Sequence, residues 1–162
     1  MKSAEAIQKK IMTLEQAKSW IAALRVTGKK VSFTNGCFDI IHPGHLFSLQ
    51  QAADQADFLI VGLNSDASVR KLKGPRRPIN STASRALVLA HLVVVDAVVV
   101  FDEETPLELI SALLPDVLVK GGDYTLEQVV GSKEVIAQGG KVIINPIVEG
   151  FSTTQLIEKI KK

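Results

Sequence analysis

Apolar and polar positions along this chain follow two periods, and the switches between them mark out its elements. Short, densely apolar runs at 31–34, 58–63, 97–101, 117–119 and 142–145 predict strands buried on both faces. Between them, apolar residues recur at helical spacing over 44–55, 81–93, 105–114 and 132–138, and a last helix is expected over 153–161. Thr105-Pro106 reads as a cap followed by a proline in the first turn. Ahead of the first strand, Thr13-Leu14-Glu15-Gln16 has the form of a capping box. Leu14, Ala17, Ile21 and Leu24 then keep helical spacing up to a stop at Gly28, and that helix is expected on the side of the sheet. Residues 1–12 read as a loosely attached arm. Strands alternating with helices make βαβ units with right-handed crossovers. The expectation is therefore one α/β domain over 30–162, a doubly wound parallel sheet of five strands, preceded by an arm and an extra N-terminal helix over 1–29. In such sheets ligands bind beyond the carboxyl ends of the strands, where strand order reverses.

Composition narrows the class. A chain of 162 residues suits one domain with a real core, and 46% hydrophobic content with few aromatics fits a buried parallel sheet. A net charge of +2 makes no case for general nucleic-acid binding. The single cysteine excludes an internal disulfide, so nothing here calls for an oxidising compartment. The polar, amphipathic start lacks the pattern of a signal peptide. The longest apolar run, 86–101, is interrupted by His91 and Asp96, which argues against a membrane span. A cytoplasmic enzyme or binding domain is expected.

The chemistry concentrates where the first strand ends. Asn35-Gly36-Cys37-Phe38-Asp39 forms a glycine turn, and His42-Pro43-Gly44-His45 opens the next helix. Pro43 suits a first helical position, and Gly44 removes a side chain where a ligand presses against backbone. His42 and His45, three apart, can point at one object on a helix N-terminus, where free N–H groups favour phosphates. The plainer alternatives are a capping accident or half of a zinc site. A zinc site needs further ligands, and Cys37 sits in the turn itself while His91 lies far along the chain. No metal site is assigned.

Other segments fall at strand ends or helix starts. Asn64-Ser65-Asp66 follows the second strand. A basic stretch with Arg70, Lys71, Lys73, Arg76 and Arg77 comes next, punctuated by Gly74, Pro75 and Pro78. This is either a solvated loop or a hinged loop that neutralises phosphates. Lys120-Gly121-Gly122-Asp123-Tyr124 after the fourth strand is either a plain turn or the border of a base or ribose pocket. Ser152-Thr153-Thr154 either caps the last helix or holds a phosphate there.

Taken together, these residues resemble the cytidylyltransferase-like nucleotidyltransferases. The resemblance is carried by His42-Pro43-Gly44-His45 after Asn35-Gly36-Cys37-Phe38-Asp39. Within that family the chain is most similar to the D-glycero-β-D-manno-heptose 1-phosphate adenylyltransferase branch, whether free-standing or the C-terminal half of a bifunctional kinase/adenylyltransferase. The features that narrow it are Arg77-Pro78-Ile79-Asn80, Lys120-Gly121-Gly122-Asp123-Tyr124, Gly131-Ser132-Lys133-Glu134-Val135 and Ser152-Thr153-Thr154, across roughly 30–160. Two departures stand out. Val148 precedes Glu149 where glycerol-phosphate cytidylyltransferases carry an arginine, and Ala83-Ser84 precede Arg85 where the family commonly has Glu-Gln.

The resemblance implies a Rossmann-like fold of the nucleotidyltransferase type and transfer of AMP from ATP to a sugar 1-phosphate. It implies catalytic roles for His42, His45 and Lys73. It implies nucleotide contacts from Asn35, Gly36, Cys37, Phe38, Gly44, Arg85, Lys120, Gly121, Gly122, Ser152, Thr153 and Thr154. Acceptor contacts are implied for Asp39, Asn64, Asp66 and Lys71. Mg²⁺ is expected with ATP, held by phosphate oxygens and water. A homodimer is expected, with 87–100 supplying either interface or core, as is a separate heptose kinase in the same pathway; nucleic acid and membrane are not expected as partners. The alternatives are a glycerol-3-phosphate cytidylyltransferase, an FMN adenylyltransferase or a non-catalytic nucleotide-binding module.

Overall fold

The structure, a computed structural model, describes residues 3–146 and 150–160. Among these residues the sheet has six parallel strands: β1 (Ile11–Met12), β2 (Val31–Gly36), β3 (Phe58–Asn64), β4 (Ala97–Phe101), β5 (Val117–Gly121) and β6 (Lys141–Asn145). Their spatial order is β1-β4-β3-β2-β5-β6. The chain therefore winds outward from β2 through β3 to β4, then returns to the other side of β2 for β5 and β6. Strand order reverses at β2, beside the turn that carries the histidines.

Among the described residues eight α-helices accompany the sheet: α1 (Ala4–Gln8), α2 (Leu14–Val26), α3 (Pro43–Ala53), α4 (Asp66–Lys73), α5 (Thr82–His91), α6 (Leu107–Leu113), α7 (Ser132–Ala137) and α8 (Thr153–Ile160). Successive strand residues point to opposite faces, so each strand feeds two cores. On one face Phe33, Ile60, Val99 and Leu118 meet Ala17 and Ile21 of α2, Leu109, Ile110 and Leu113 of α6, and Val135 of α7. On the other, Leu59, Val61, Leu63, Val98 and Val119 meet Leu49 and Ala52 of α3 and Ala86, Leu89 and Ala90 of α5. The leading helix has the expected capping box, with Thr13 and Gln16 exchanging side-chain and backbone bonds. Within the apolar stretch 87–100, Leu89, Ala90, Val95, Ala97, Val98 and Val99 are core, whereas Leu87, Val88, Val93 and Val100 are exposed.

Three expectations need correction. The sheet has six strands, because the arm supplies an edge strand: Ile11 and Met12 pair with Val98 and Val99 of β4. Two residues are too few to show a period of two in the sequence. The arm is also pinned, since the Lys10 ammonium donates to the carbonyls of Leu92 at 3.3 Å and Val95 at 2.6 Å. Secondly, the basic stretch begins as a helix, α4, and becomes loop only from Gly74 onward. That helix buries just Ser68 and Val69, so it shows almost no apolar stripe. What makes it helical is Ser65 accepting from the Ser68 N–H, Asp66 in the first turn, and Arg70, Lys71 and Lys73 in the last turn, where they suit the helix dipole. Thirdly, Pro106 itself occupies the N-cap position of α6, so Thr105 does not cap it.

Replacing Lys10 by Met keeps the stem but removes the donor to the Val95 carbonyl, while the Leu92 carbonyl keeps the Val95 N–H. The expected loss is about 1–2 kcal/mol of stability in urea denaturation. An unchanged midpoint would mean that the arm is not part of the cooperative unit.

Candidate active site

β2 delivers Asn35 and Gly36 to the carboxyl edge of the sheet, and the chain then turns sharply before α3. Phe38 takes a left-handed backbone conformation with φ 44°, a strained state for a residue with a side chain. Its ring lies over Gly36, where an added Cβ would come within 3.0 Å, and it tilts against His45 with ring centroids 5.3 Å apart. The strain is thus tied to a prop for one imidazole.

α3 starts at Pro43 with His42 as its N-cap, and the His42 side chain makes no capping bond. The two imidazoles stack instead, with centroids 3.8 Å apart and planes 20° from parallel. Gly44 is needed for this. An added Cβ there would stand 3.1 Å from the His42 ring and 3.0 Å from Phe151, whose own ring stacks on His42 at 6.2 Å. Both Nδ1 atoms are buried without a hydrogen bond of good geometry among the described residues, although backbone oxygens at Ile40 and His42 lie close enough to favour the charged rings. Burial pulls both below the ordinary histidine range, and His45, which also feels any charge on His42, is pushed down to about 4. At neutral pH the pair is uncharged.

The rings open onto a cleft of about 650 Å³ at the carboxyl ends of the strands. Its floor is Asn35, Gly36, Cys37, Phe38, Asp39, His42 and His45. Segments on the β3–β4 side contribute Asn64, Leu72, Lys73, Arg77, Glu104, Thr105 and Pro106. Segments on the β5–β6 side contribute Lys120, Tyr124, Gln128, Phe151, Ser152, Thr153 and Thr154. Cations therefore face the histidines from both sides. Burial lowers the Lys120 pKa, helped by the like charge of Lys73 and opposed by Cys37; its ammonium reaches Asn35 Oδ1 at 3.4 Å and lies 5.9 Å from the Tyr124 ring centre. Burial also pushes the Cys37 thiol up, despite Lys73, Arg85 and Arg77 nearby. That makes it a poor nucleophile at neutral pH.

Several residues expected at the site stand behind it. Lys71 and Asp66 do not line the cleft, and neither do Gly121 and Gly122. Gly122, at φ 135°, makes room for the Tyr124 ring, which an added Cβ would meet at 2.5 Å. Arg85 is 2% exposed and contacts no cleft surface. Its Nη1 donates to the carbonyls of Cys37 at 2.6 Å and Asn64 at 2.8 Å, its Nε to the Asn80 carbonyl at 3.0 Å, and its Nη2 to Asp66 at 2.7 Å. Burial works against ionising Asp66, yet the bonds from Arg85 and Thr82 hold its carboxyl below the usual range. Asn64 does line the cleft, but its amide donates to Ser68 Oγ at 2.9 Å. Val148 and Glu149 lie outside the described residues. Sequence reading does not single out Gln128 or Glu104, and it marks Thr105 only as a helix cap; their one signal is a position after a strand end.

Arg85→Met keeps the bulk and removes every donor. It should cost about 3 kcal/mol or more in chemical denaturation, because buried carbonyls at two strand ends lose their partner. A loss under about 1 kcal/mol would show those carbonyls satisfied otherwise. The histidines set a second expectation. Their folded pKa values lie below the unfolded value, so the unfolded chain takes up protons first on acidification. The stability they permit is full above the unfolded value of about 6.5 and declines as pH falls toward the folded His45 value of about 4. Denaturant titrations across that window should show a slope that His45→Asn reduces; an equal slope in the variant would contradict it.

A profile of the cytidylyltransferase-like family matches residues 33–159. Among curated relatives, the bifunctional protein HldE of Caulobacter vibrioides is 58% identical over 151 residues, covering 93% of this chain and 31% of that protein. HldE of Koribacter versatilis is 54% identical over 157 residues, covering 97% of this chain and 32% of its own length. The chain thus spans about a third of the length of the curated relatives it matches. Among solved structures, a lipopolysaccharide core biosynthesis protein from Thermoplasma volcanium superimposes with a TM-score of 0.62 at 26% identity, over 75% of this chain and 98% of that one. A pantoate-beta-alanine ligase from Francisella tularensis, 15% identical with a TM-score of 0.59 over 93% of this chain and 76% of its own, shares the fold. With the family match running from β2 into α8 and the paired histidines at the reversal of strand order, this chain belongs to the cytidylyltransferase-like family.

Proposed function

We propose that this protein transfers AMP from ATP to D-glycero-β-D-manno-heptose 1-phosphate, releasing pyrophosphate and forming ADP-heptose. The observation that carries this reading is the stacked histidine pair at the start of α3, facing a cleft with lysines on both sides. The named relatives, at more than half identity, support the choice of acceptor. The acceptor is already a phosphate monoester and largely ionised at neutral pH, so no general base has to be supplied. The chain has instead to align two anions that repel each other and to stabilise the charge that moves onto the leaving group.

An acceptor phosphate oxygen forms the new bond to the α-phosphorus of ATP while the bond to the bridging oxygen breaks, and pyrophosphate leaves with that electron pair. His42 and His45 donate hydrogen bonds to the α- and β-phosphate oxygens as this charge develops. Uncharged imidazoles can each provide one N–H, and phosphate binding would draw their pKa values back up. Lys73 spans donor and acceptor phosphates, with Lys71 outside the cleft. Ser152, Thr153 and Thr154 at the start of α8 receive the outer phosphates, and Lys120 with Tyr124 lies toward the nucleoside. Mg²⁺ is read as part of the MgATP substrate, held by phosphate oxygens and water. The same reading carries a cytoplasmic location, a homodimer and a separate heptose kinase that supplies the acceptor; no helix among the described residues is long and apolar enough to cross a membrane.

Pyrophosphate release with ATP or CTP, against heptose 1-phosphate, glycerol 3-phosphate and FMN, tests the proposal; product with any pair but ATP and heptose 1-phosphate refutes the assignment. His45→Ala should lose on the order of 3 kcal/mol of transition-state stabilisation, about a hundredfold in kcat. Near-normal turnover would remove the imidazole from the mechanism.

A further inference from the structure

We infer that Arg77 binds the phosphate of the acceptor and that Asp39 positions it to do so, an inference that rests on the proposed adenylyl transfer. Arg77 comes after α4 and lines the cleft on the β3–β4 side together with Lys73. Its Nε donates to Asp39 Oδ2 at 2.8 Å, with the two side chains 16% and 1% exposed. The Asp39 carboxylate is also filled by the chain itself: it accepts from the Ile79 N–H at 2.8 Å and the Asn80 N–H at 2.8 Å. The Asn80 amide closes the arrangement by donating to the Asp39 carbonyl at 2.7 Å. Asp39 is therefore saturated, whereas Arg77 spends only its Nε. Its two terminal nitrogens have no partner among the described residues, and a guanidinium fixed at Nε still offers them to an anion's oxygens.

The direction of the reaction places that anion. Attacking and leaving oxygens lie roughly in line across the α-phosphorus. With pyrophosphate received at Ser152, Thr153 and Thr154 on the β5–β6 side, the acceptor phosphate must come from the β3–β4 side, where Arg77 stands. Asp39 lies three residues before His42 on the same turn, so it ties the acceptor cation to the histidine pair. The neighbouring Arg76 shows that charge alone does not create the site: it is exposed and does not line the cleft.

Two measurements test this. The first is KM for heptose 1-phosphate and for ATP by pyrophosphate release. The second is calorimetric titration of heptose 1-phosphate into protein saturated with a non-hydrolysable ATP analogue, which needs no turnover. Arg77→Lys should raise acceptor KM and Kd about tenfold or more, with ATP KM and Tm nearly unchanged, because a lysine keeps the charge but loses the fork. Asp39→Asn should give the same split between acceptor and ATP in weaker form, whereas a merely structural loss would move both substrates together. Arg76→Lys should change neither. An unchanged acceptor Kd in Arg77→Lys, an equal rise for ATP, or no binding of heptose 1-phosphate to the wild-type chain would each overturn the inference. If the wild-type chain binds the acceptor but forms no product, the proposed reaction fails, and the titration still decides whether Arg77 holds the phosphate.

Discussion

A parallel sheet leaves its strand ends with backbone groups that have no neighbour to bond, and this protein closes its two edges by different means. At the amino ends carboxylates do the work: Asp116 accepts from the Val31 N–H, Asp96 from Leu59 and Asp57 from Lys30. At the carboxyl ends of β2 and β3 the orphan groups are carbonyls, and one buried guanidinium, Arg85, satisfies those of Cys37 and Asn64 together. That cation closes the back of the site and leaves its front open. The histidine turn and the start of α4 are thereby held in register by Arg85, and the loop bearing Arg77 by the Asp39 turn.

The site built on that support is unusual in its resting charge. Burial favours the neutral form of both stacked imidazoles, and for His45 the like charge of His42 adds to it. Positive charge comes instead from lysine and arginine on opposite walls. Such a division suits phosphoryl chemistry, in which the cations gather the anions and neutral donors respond to charge as it moves. It also explains why Gly44 and the strained Phe38 sit where they do, since both serve the placement of the rings.

The segment after β3 shows how an unremarkable charged stretch becomes part of a site. As α4 it keeps Lys73 at its last turn, and past Gly74 the chain is captured by Asp39 through Arg77, Ile79 and Asn80. One basic run thereby splits into residues that line the cleft, Lys73 and Arg77, and residues in solvent, Lys71 and Arg76.

Local pattern was enough for the α/β class, the central strands, the long helices and the turn bearing His42 and His45, because periodicity, caps and a glycine turn act over a few neighbouring residues. It was not enough for β1, whose two residues become a strand only by pairing with β4, or for α4, whose helical signal lies in its cap and dipole rather than in an apolar stripe. The same divide runs through the site. His42, His45, Asn35, Lys120 and Ser152 are legible because strand ends and helix starts in this topology share one edge. Whether a cation faces the ligand or props the scaffold was decided by tertiary contacts: Arg85 turns inward to two carbonyls and Asp66, while Arg77 is drawn to the cleft by an aspartate 38 positions away. Chain direction and spacing cannot encode that choice, because it depends on which buried groups lack a partner once the strands have come together.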